Sequence, residues 1–505
     1  MDSSVKLLFS RRRDLFIAAA LLAGVWLWYL WVFSVPFFSD QLRLLTANQS
    51  PDSSSLKYWV HILTRPAHGP QYRPLSYFAL YYWCREIFGL NLWFYHALAL
   101  GFFSTSVLLC WRWLRLLSRS ETAAFLAILF FAVHPTHNVF VSDLAAAEKY
   151  YVTLSILLWG LIQTASPHPL RLSGALALGA LLSVAIVSHE GSFVFPLIFL
   201  MQAAALGRPL SRNWGFLLLP SVAYAVFRFL HWGLPQEGFM ETRLSFIPYG
   251  LAYYLEFLAK APFVLMNDFD GRFFWAGAAA AGLWAFWAAW EWRQGKERIT
   301  AFALAAALVL LVPFAALRNH VIGDRGVWAA PMLALASALW CRRFFEKNSA
   351  IRGVRMVGQL GTVGLLVLII GNCRIQSLKK AGYLESMHVY QKRLAQHIER
   401  SLQSWPLAAA IEVRLQTAGG PTASEQSIYK RDILLPAFLA LRFPGRIFLL
   451  DSSQGKKIFV RDGTFFIKTK IERIWIDPFM YPQALSPPEP TGRIRISQED
   501  LSVLY

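Results

Sequence analysis

The sequence predicts an α-helical polytopic membrane protein with a small extracytoplasmic α+β domain at its C-terminal end. Three observations predict it. Of 505 residues, 56% are hydrophobic and 16% charged, and the mean hydropathy is +0.40, so apolar side chains exceed what one or two soluble cores could hide and lipid must solvate part of the surface. Apolar stretches of bilayer-crossing length recur through residues 15–373. Beyond 374 the composition shifts to a charged helical stretch followed by short alternating runs broken by Gly and Pro.

The apolar stretches lie near 15–37, 91–111, 121–134, 144–163, 172–188, 192–206, 214–233, 273–290, 299–317, 327–341 and 357–373. A helix needs roughly 20 residues to cross a bilayer, which gives about 11 transmembrane helices. The first follows Arg11, Arg12 and Arg13, runs to Pro36 and lacks a small-residue cleavage site, so it is expected to be retained rather than removed as a signal peptide.

Direction follows from charge. With the N-terminus inside, alternate connectors carry Arg112, Arg115 and Arg119; Arg171; Arg208 and Arg212; Arg293, Lys296 and Arg298; and Arg342, Arg343, Lys347, Arg352 and Arg355, all on the cytoplasmic side. Counting 249–271 as a crossing would break this order, so it is expected to be an outer re-entrant or interfacial helix. The formal charge of +19, from 49 Lys+Arg against 30 Asp+Glu, is therefore mostly a topology signal. No basic tract interleaves with aromatics, which argues against a nucleic-acid partner. The four cysteines show neither CxxC spacing nor a nearby His partner, which argues against a disulfide framework or a metal knuckle.

Residues 38–90 form a long first outer loop. Ser53, Ser54 and Ser55 can cap an amphipathic run Leu56–Leu63, and the aromatic run Leu75–Phe88 follows; both read as interfacial helices on the membrane surface. In 374–505, a helix to about Ser404 precedes strand-like runs at Ile411–Leu415, Arg446–Leu450, Lys457–Arg461 and Thr464–Ile476. The organisation is thus a transmembrane module, 1–373, and an extracytoplasmic α+β domain, 374–505.

Ionisable residues at membrane depth are costly and mark functional sites. Asp40 follows the first helix; it could accept a proton from an acceptor hydroxyl, hold a divalent cation or cap the helix end. His134 and His137 close the third helix, with Asp143, Glu148 and Lys149 at the start of the fourth; this set suits a metal or a phosphate-bearing headgroup, or else helix capping and ion pairing with Lys149. Ser188-His189-Glu190-Gly191 ends the fifth helix. Arg318, His320, Asp324 and Arg325 lie between the ninth and tenth, and Arg73 opens the second surface helix; Arg clamps phosphates through paired donors, while snorkelling and ion pairing are the commoner fate of charges at helix ends. All of these project to the outer side.

These stretches resemble a known family. Tyr72-Arg73-Pro74-Leu75-Ser76, Phe88 to His96, Phe131 to His137, Ser188-His189-Glu190 and Asp324 to Pro331 hold their order and spacing over roughly residues 15–345. The chain resembles the GT-C superfamily of polyprenyl-phosphate-sugar-dependent glycosyltransferases, and is most similar to the membrane half of transmembrane O-mannosyltransferases with tetratricopeptide repeats and to their bacterial relatives. It departs from them at Val139, where relatives often carry Glu, and in having a single acid at Ser39-Asp40. Residues 374–505 also lack 34-residue repeats, so the protein-O-mannosyl acceptor does not carry over.

The resemblance implies a catalytic acid after the first helix, Asp40, and a second in the next outer loop, Asp143 or Glu148. It implies a sugar donor linked through phosphate to a polyprenol such as undecaprenyl phosphate, and a glycan, lipid or protein acceptor arriving from outside. Arg73, Lys149, Arg318 and Arg325 are then candidates for the donor phosphate, and His134, His137, His189 and Glu190 for the pocket. A divalent cation, Mg or Mn, would be held by Asp40, Asp143, Glu148 and His137. Transfer would be inverting, with Tyr253, Tyr254, Glu256 and Lys260 of 249–271 as a wall for lipid or acceptor, or as an interfacial aromatic belt. The expected location is a bacterial inner membrane with site and C-terminal domain facing the periplasm, the endoplasmic reticulum membrane being the alternative. Rival classes are a lipid-linked saccharide flippase or a non-catalytic envelope-glycan assembly protein. The first predicts polar residues in mid-span and pseudo-symmetric halves, which the sequence does not display.

Overall fold

The structure, a computed structural model, describes residues 3–37, 73–168, 170–210, 212–231, 242–260, 298–317, 323–347 and 352–406, five strands beyond them, and a few isolated positions. The described chain divides into two compact units. One comprises Met1–Val32 with His96–Lys380, the other Phe33–Tyr95 with Ala381–Tyr505.

The first unit is helical. Its elements are α1 (Ser3–Trp28), most of α3 (Leu92–Ser118), α4 (Glu121–Val133), the short α5 (His137–Phe140) and α6 (Leu144–Ala147), and α7 (Thr153–Thr164). Then come α8 (Leu172–Ser188), α9 (Phe195–Ala205), α10 (Gly215–His231), α11 (Ile247–Lys260), α12 (Arg298–Ala315), α13 (Ala330–Lys347) and the start of α14 (Arg352–Leu402). The helix α2 (Leu80–Phe88) belongs to the second unit.

Two described helices, Leu92–Ser118 and Arg298–Ala315, are long and apolar enough to cross a membrane; Glu121–Val133, Leu172–Ser188, Glu190–Ala205 and Ala330–Leu339 are apolar but shorter. Of the eleven crossings expected from hydropathy, these two meet both criteria, length and composition, among the described residues. The stretch read as a crossing at 144–163 is interrupted by a π-helical segment, Glu148–Val152, between α6 and α7. Of the segment 273–290 the structure describes only scattered helical positions.

Close packing within this unit depends on small residues. A Cβ at Gly160 would meet the Phe199 ring, and one at Gly179 would lie 2.8 Å from the Phe216 carbonyl. One set of polar groups buried between helices is fully paired. Trp113 Nε1 donates to Gln202 Oε1 at 2.8 Å, and Gln202 Nε2 donates to Leu161 O at 2.6 Å and Thr164 Oγ1 at 3.0 Å, joining α3, α7 and α9. The basic connectors are tied down as well: Arg115 pairs with Asp14 at 2.7 Å, Arg13 pairs with Glu121, and Arg342 Nη1 donates to Ser118 O at 2.6 Å.

In the second unit, Phe37 meets Tyr95 edge to face at 5.0 Å, and Gln391 Nε2 donates to Phe37 O at 2.9 Å. The α14 helix runs unbroken through 373 and 374, where hydropathy placed a domain boundary. Packing puts the division between Lys380 and Ala381 instead. Five strands follow: β1 (Ala410–Leu415), β2 (Ile447–Asp451), β3 (Lys457–Arg461), β4 (Thr464–Lys468) and β5 (Gly492–Ile496). Their order is β4-β3-β2-β1-β5, parallel across β2-β1-β5 and antiparallel across β2-β3-β4, with Val413 opposite Leu450 and Ile494. Parallel neighbours such as β1 and β2 require the chain to cross over between them. The described cysteines Cys84, Cys110 and Cys373 are buried free thiols.

Candidate functional site

The site forms in the first unit where α4 stops. Pro135 decides that point: a proline disfavours the helical conformation in the residue before it, and His134 is extended, with φ −60° and ψ 134°. The His134 ring then closes the turn. Its Nδ1 accepts the Thr136 amide at 3.2 Å and its Nε2 lies 3.2 Å from Leu258 O, so Nε2 carries the proton and donates to α11. His137 spends both nitrogens internally as well, with Nδ1 3.1 Å from the Tyr151 hydroxyl and Nε2 2.8 Å from Phe131 O. Burial pushes its pKa well below 6.5, and His134 adds to the effect.

Asp143 starts the next helical segment as its cap. Its Oδ1 accepts the amides of Ala145 at 2.9 Å and Ala146 at 3.2 Å, satisfying donors that a helix N-terminus leaves open. Of the four residues expected to hold a metal, Asp40, Asp143, Glu148 and His137, the first lies outside the described residues. His137 has no ring nitrogen left for a ligand, Asp143 is engaged in capping, and among the described residues no three His, Cys, Asp or Glu gather as a metal site would require.

Beyond α6, Glu148 and Lys149 open the π-helical segment and both are buried. Tyr150 stacks on Phe140 at 4.2 Å and faces His189 at 5.2 Å and Trp328 at 6.0 Å. His189 begins the short turn Glu190–Val194, where its Nδ1 accepts the Gly191 amide at 3.0 Å. Its ring lies 5.0 Å from Trp328 and 5.4 Å from Phe314. Gly191 makes this approach possible, since a Cβ there would lie 3.2 Å from both His189 Nδ1 and the Trp328 ring. Glu190 is half-buried.

The turn Gly323–Trp328 brings Arg325 to the same place. The residue is 6% exposed and its guanidinium lies over the Phe314 ring at 6.0 Å; among the described residues it forms no ion pair. An arginine buried this way keeps donors available to an anion. A Cβ at Gly326 would lie 3.0 Å from the Leu258 side chain, and Tyr254, fully buried, lies 6.4 Å from Phe314. So α11 contributes to the wall of the site from inside the protein, and Tyr254 is not part of a surface aromatic belt.

Arg73 is also buried, before Pro74 and a second π-helical segment, Leu75–Ala79, but it belongs to the second unit. Asp40, Arg318 and His320 lie outside the described residues, as do the side chains of Asp324 and Lys260. Near Asp40 in the chain, Phe37 accepts the Gln391 bond and Gln41 is fully buried.

No family profile matches the chain, and no curated protein matches it. Among solved structures it is similar to the Archaeoglobus fulgidus oligosaccharyltransferase. The apo form matches with 12% identity and TM-score 0.43, covering 79% of this chain and 62% of that one. The form tethered to an acceptor peptide containing the NVT sequon matches with 12% identity, TM-score 0.42 and the same coverage. The complex with Zn and sulfate matches with 13% identity and TM-score 0.41, covering 79% and 60%. The chain thus spans about three fifths of the length of those structures.

Several residues of the site carried no advance signal. Phe314 sits within an apolar helix and Thr153 within an apolar run, and nothing in their sequence neighbourhood sets them apart. Tyr150 follows the charged pair directly, and Trp328 lies three residues after Arg325. In both cases the adjacent charge could have drawn attention to them.

Proposed function

We propose that the chain is an integral-membrane glycosyltransferase that moves a sugar from a polyprenyl-phosphate-linked donor to a glycan, lipid or protein acceptor at the extracytoplasmic face. The observation that carries this reading is the buried charge set of one unit. Glu148 and Lys149 come from the π-helical segment and Arg325 from the turn that packs on it through Trp328, with His189 in ring contact with that Trp. Burying such charges is costly unless they are paired, which makes a buried set of them a candidate functional site.

In the proposed reaction the acceptor oxygen bonds to the anomeric carbon as the bond from that carbon to the phosphate oxygen breaks. The electron pair leaves with the polyprenyl phosphate, and the acceptor proton passes to Asp40. Arg325 and Lys149 stabilise the charge that grows on the leaving phosphate, a role that preorganised donors fill best in a site sheltered from water. Displacement in one step inverts the anomeric configuration.

The test is sugar transfer by the purified, lipid-reconstituted protein from a panel of polyprenyl-phosphate-linked sugars to glycan, lipid and peptide acceptors. Transfer that collapses in Asp40→Asn supports the assignment. Unaltered turnover removes Asp40 from the mechanism, and no transfer from any such donor removes the glycosyltransferase reading.

A further inference from the structure

A π-helical segment packs an extra residue into a helical turn, weakens the regular backbone ladder and is frequent at functional sites. It persists where the surroundings hold it. At Glu148–Val152 two side chains reach its carbonyls. Thr153 Oγ1 lies 2.5 Å from Lys149 O and 3.0 Å from Tyr150 O, within donating reach of both. From a distant part of the chain, Trp328 Nε1 lies 3.2 Å from Tyr150 O and 3.0 Å from Thr153 Oγ1. The indole is fully buried and boxed by Phe195 at 5.0 Å, His189 at 5.0 Å and Phe314 at 5.1 Å, so its N–H is aimed by packing on every side.

We propose that Trp328 and Thr153 form a clamp that keeps residues 148–152 in π register, and that Trp328 is thereby the positioning residue for the Glu148–Lys149 pair. The inference rests on the reading of the site given above. Each residue of an α-helix turns the chain by about 100°, so relaxation of the segment by one residue would swing Glu148 and Lys149 to another face. The clamp has a second effect: Trp328 ends the same short turn that carries Arg325, so one indole N–H fixes the turn of the third charge to the turn of the other two. A merely structural tryptophan would need its ring but not its N–H.

The experiment separates ring from N–H. Trp328→Phe keeps an aromatic ring and removes the donor, Thr153→Val keeps the shape and removes the hydroxyl, and Thr153→Ser keeps the hydroxyl. Steady-state transfer from the active polyprenyl-phosphate sugar is measured on lipid-reconstituted protein beside thermal unfolding. Trp328→Phe and Thr153→Val are expected to lower kcat by roughly 10- to 100-fold, the range that misplacement of catalytic groups produces, while donor KM changes little; the unfolding midpoint falls modestly, as the loss of a buried donor and of ring volume requires, with the fold retained. Thr153→Ser should restore turnover, and the double variant should be no slower than Trp328→Phe alone. Wild-type turnover in Trp328→Phe, no recovery in Thr153→Ser, or multiplicative losses in the double variant would each overturn the clamp. If the wild-type protein transfers no sugar at all, the functional reading fails rather than the clamp. A cryo-EM structure of Trp328→Phe then decides: 148–152 relaxed to α-helical register supports the clamp, and retained π register overturns it.

Discussion

His134 donates through Nε2 to the carbonyl of Leu258, 124 residues further on, at 3.2 Å. The same ring accepts the Thr136 amide, so one buried side chain both ends α4 and holds α11 against it. His134→Ala should leave the Leu258 carbonyl and the Thr136 amide without this partner in a buried place. A loss of about 1–3 kcal/mol is expected, read as a lower unfolding midpoint in detergent. His134→Phe, which refills the volume, should recover little of it.

His137 predicts how stability depends on pH. Its folded pKa lies well below 6.5 because burial disfavours the imidazolium. The unfolded chain therefore binds the proton more readily. Stability from this group is complete above about pH 6.5 and declines as pH falls below it, by at most about 1.4 kcal/mol per pH unit. Unfolding midpoints measured between pH 8 and 5 should fall on the acid side, and His137→Gln should flatten that fall.

Two glycines should respond differently to alanine. Gly250 seats on the Ala315 backbone, where a Cβ would lie 2.5 Å from the Ala315 Cα. Gly250→Ala must push α11 and α12 apart, and a loss of about 1–3 kcal/mol or more is expected. Gly89 has open space around it but sits at φ +58° and ψ −133°, a conformation other residues rarely adopt, so Gly89→Ala should cost only the backbone penalty, about 1–3 kcal/mol. Thermal unfolding of both variants, with Gly101→Ala as a reference in open space at ordinary φ, checks the ranking.

Arg325→Lys should retain charge and lose the paired donors. Donor turnover is expected to fall by roughly 100- to 1,000-fold, the scale of losing one preorganised donor to developing charge. Lys149→Gln should lower it on a similar scale. Transfer kinetics at saturating acceptor provide the measurement, and an Arg325→Lys variant with wild-type kinetics would remove the guanidinium from the phosphate site.

Part of this arrangement was legible in the sequence. Helices α3 and α12 stand out as unbroken apolar runs, and the His134-Pro135 step announces where α4 must stop. The charged residues Asp143, Glu148, Lys149 and Arg325 are visible because charge beside apolar runs is rare. Their division of labour was not. That Asp143 caps a helix shows only in the Ala145 and Ala146 amides, which the letter alone does not reveal. The spacing of His134 and His137 suggests ligands, yet both rings face carbonyls, Leu258 and Phe131, that a linear reading cannot bring near. The π register of 148–152 depends on Trp328, too far along the chain for local pattern to reveal it.

The attachment of α11 has a mechanical consequence. The helix is fixed twice, by the Gly250 backbone seated on Ala315 and by Leu258 held between His134 and Gly326. Eight residues separate the two fixings, about 12 Å of helix at 1.5 Å per residue. A rod bolted at both ends can neither roll nor tilt alone. Any motion of this helix must hinge outside 250–258, and the amides between those bolts should exchange with solvent more slowly than those of the helix's free ends.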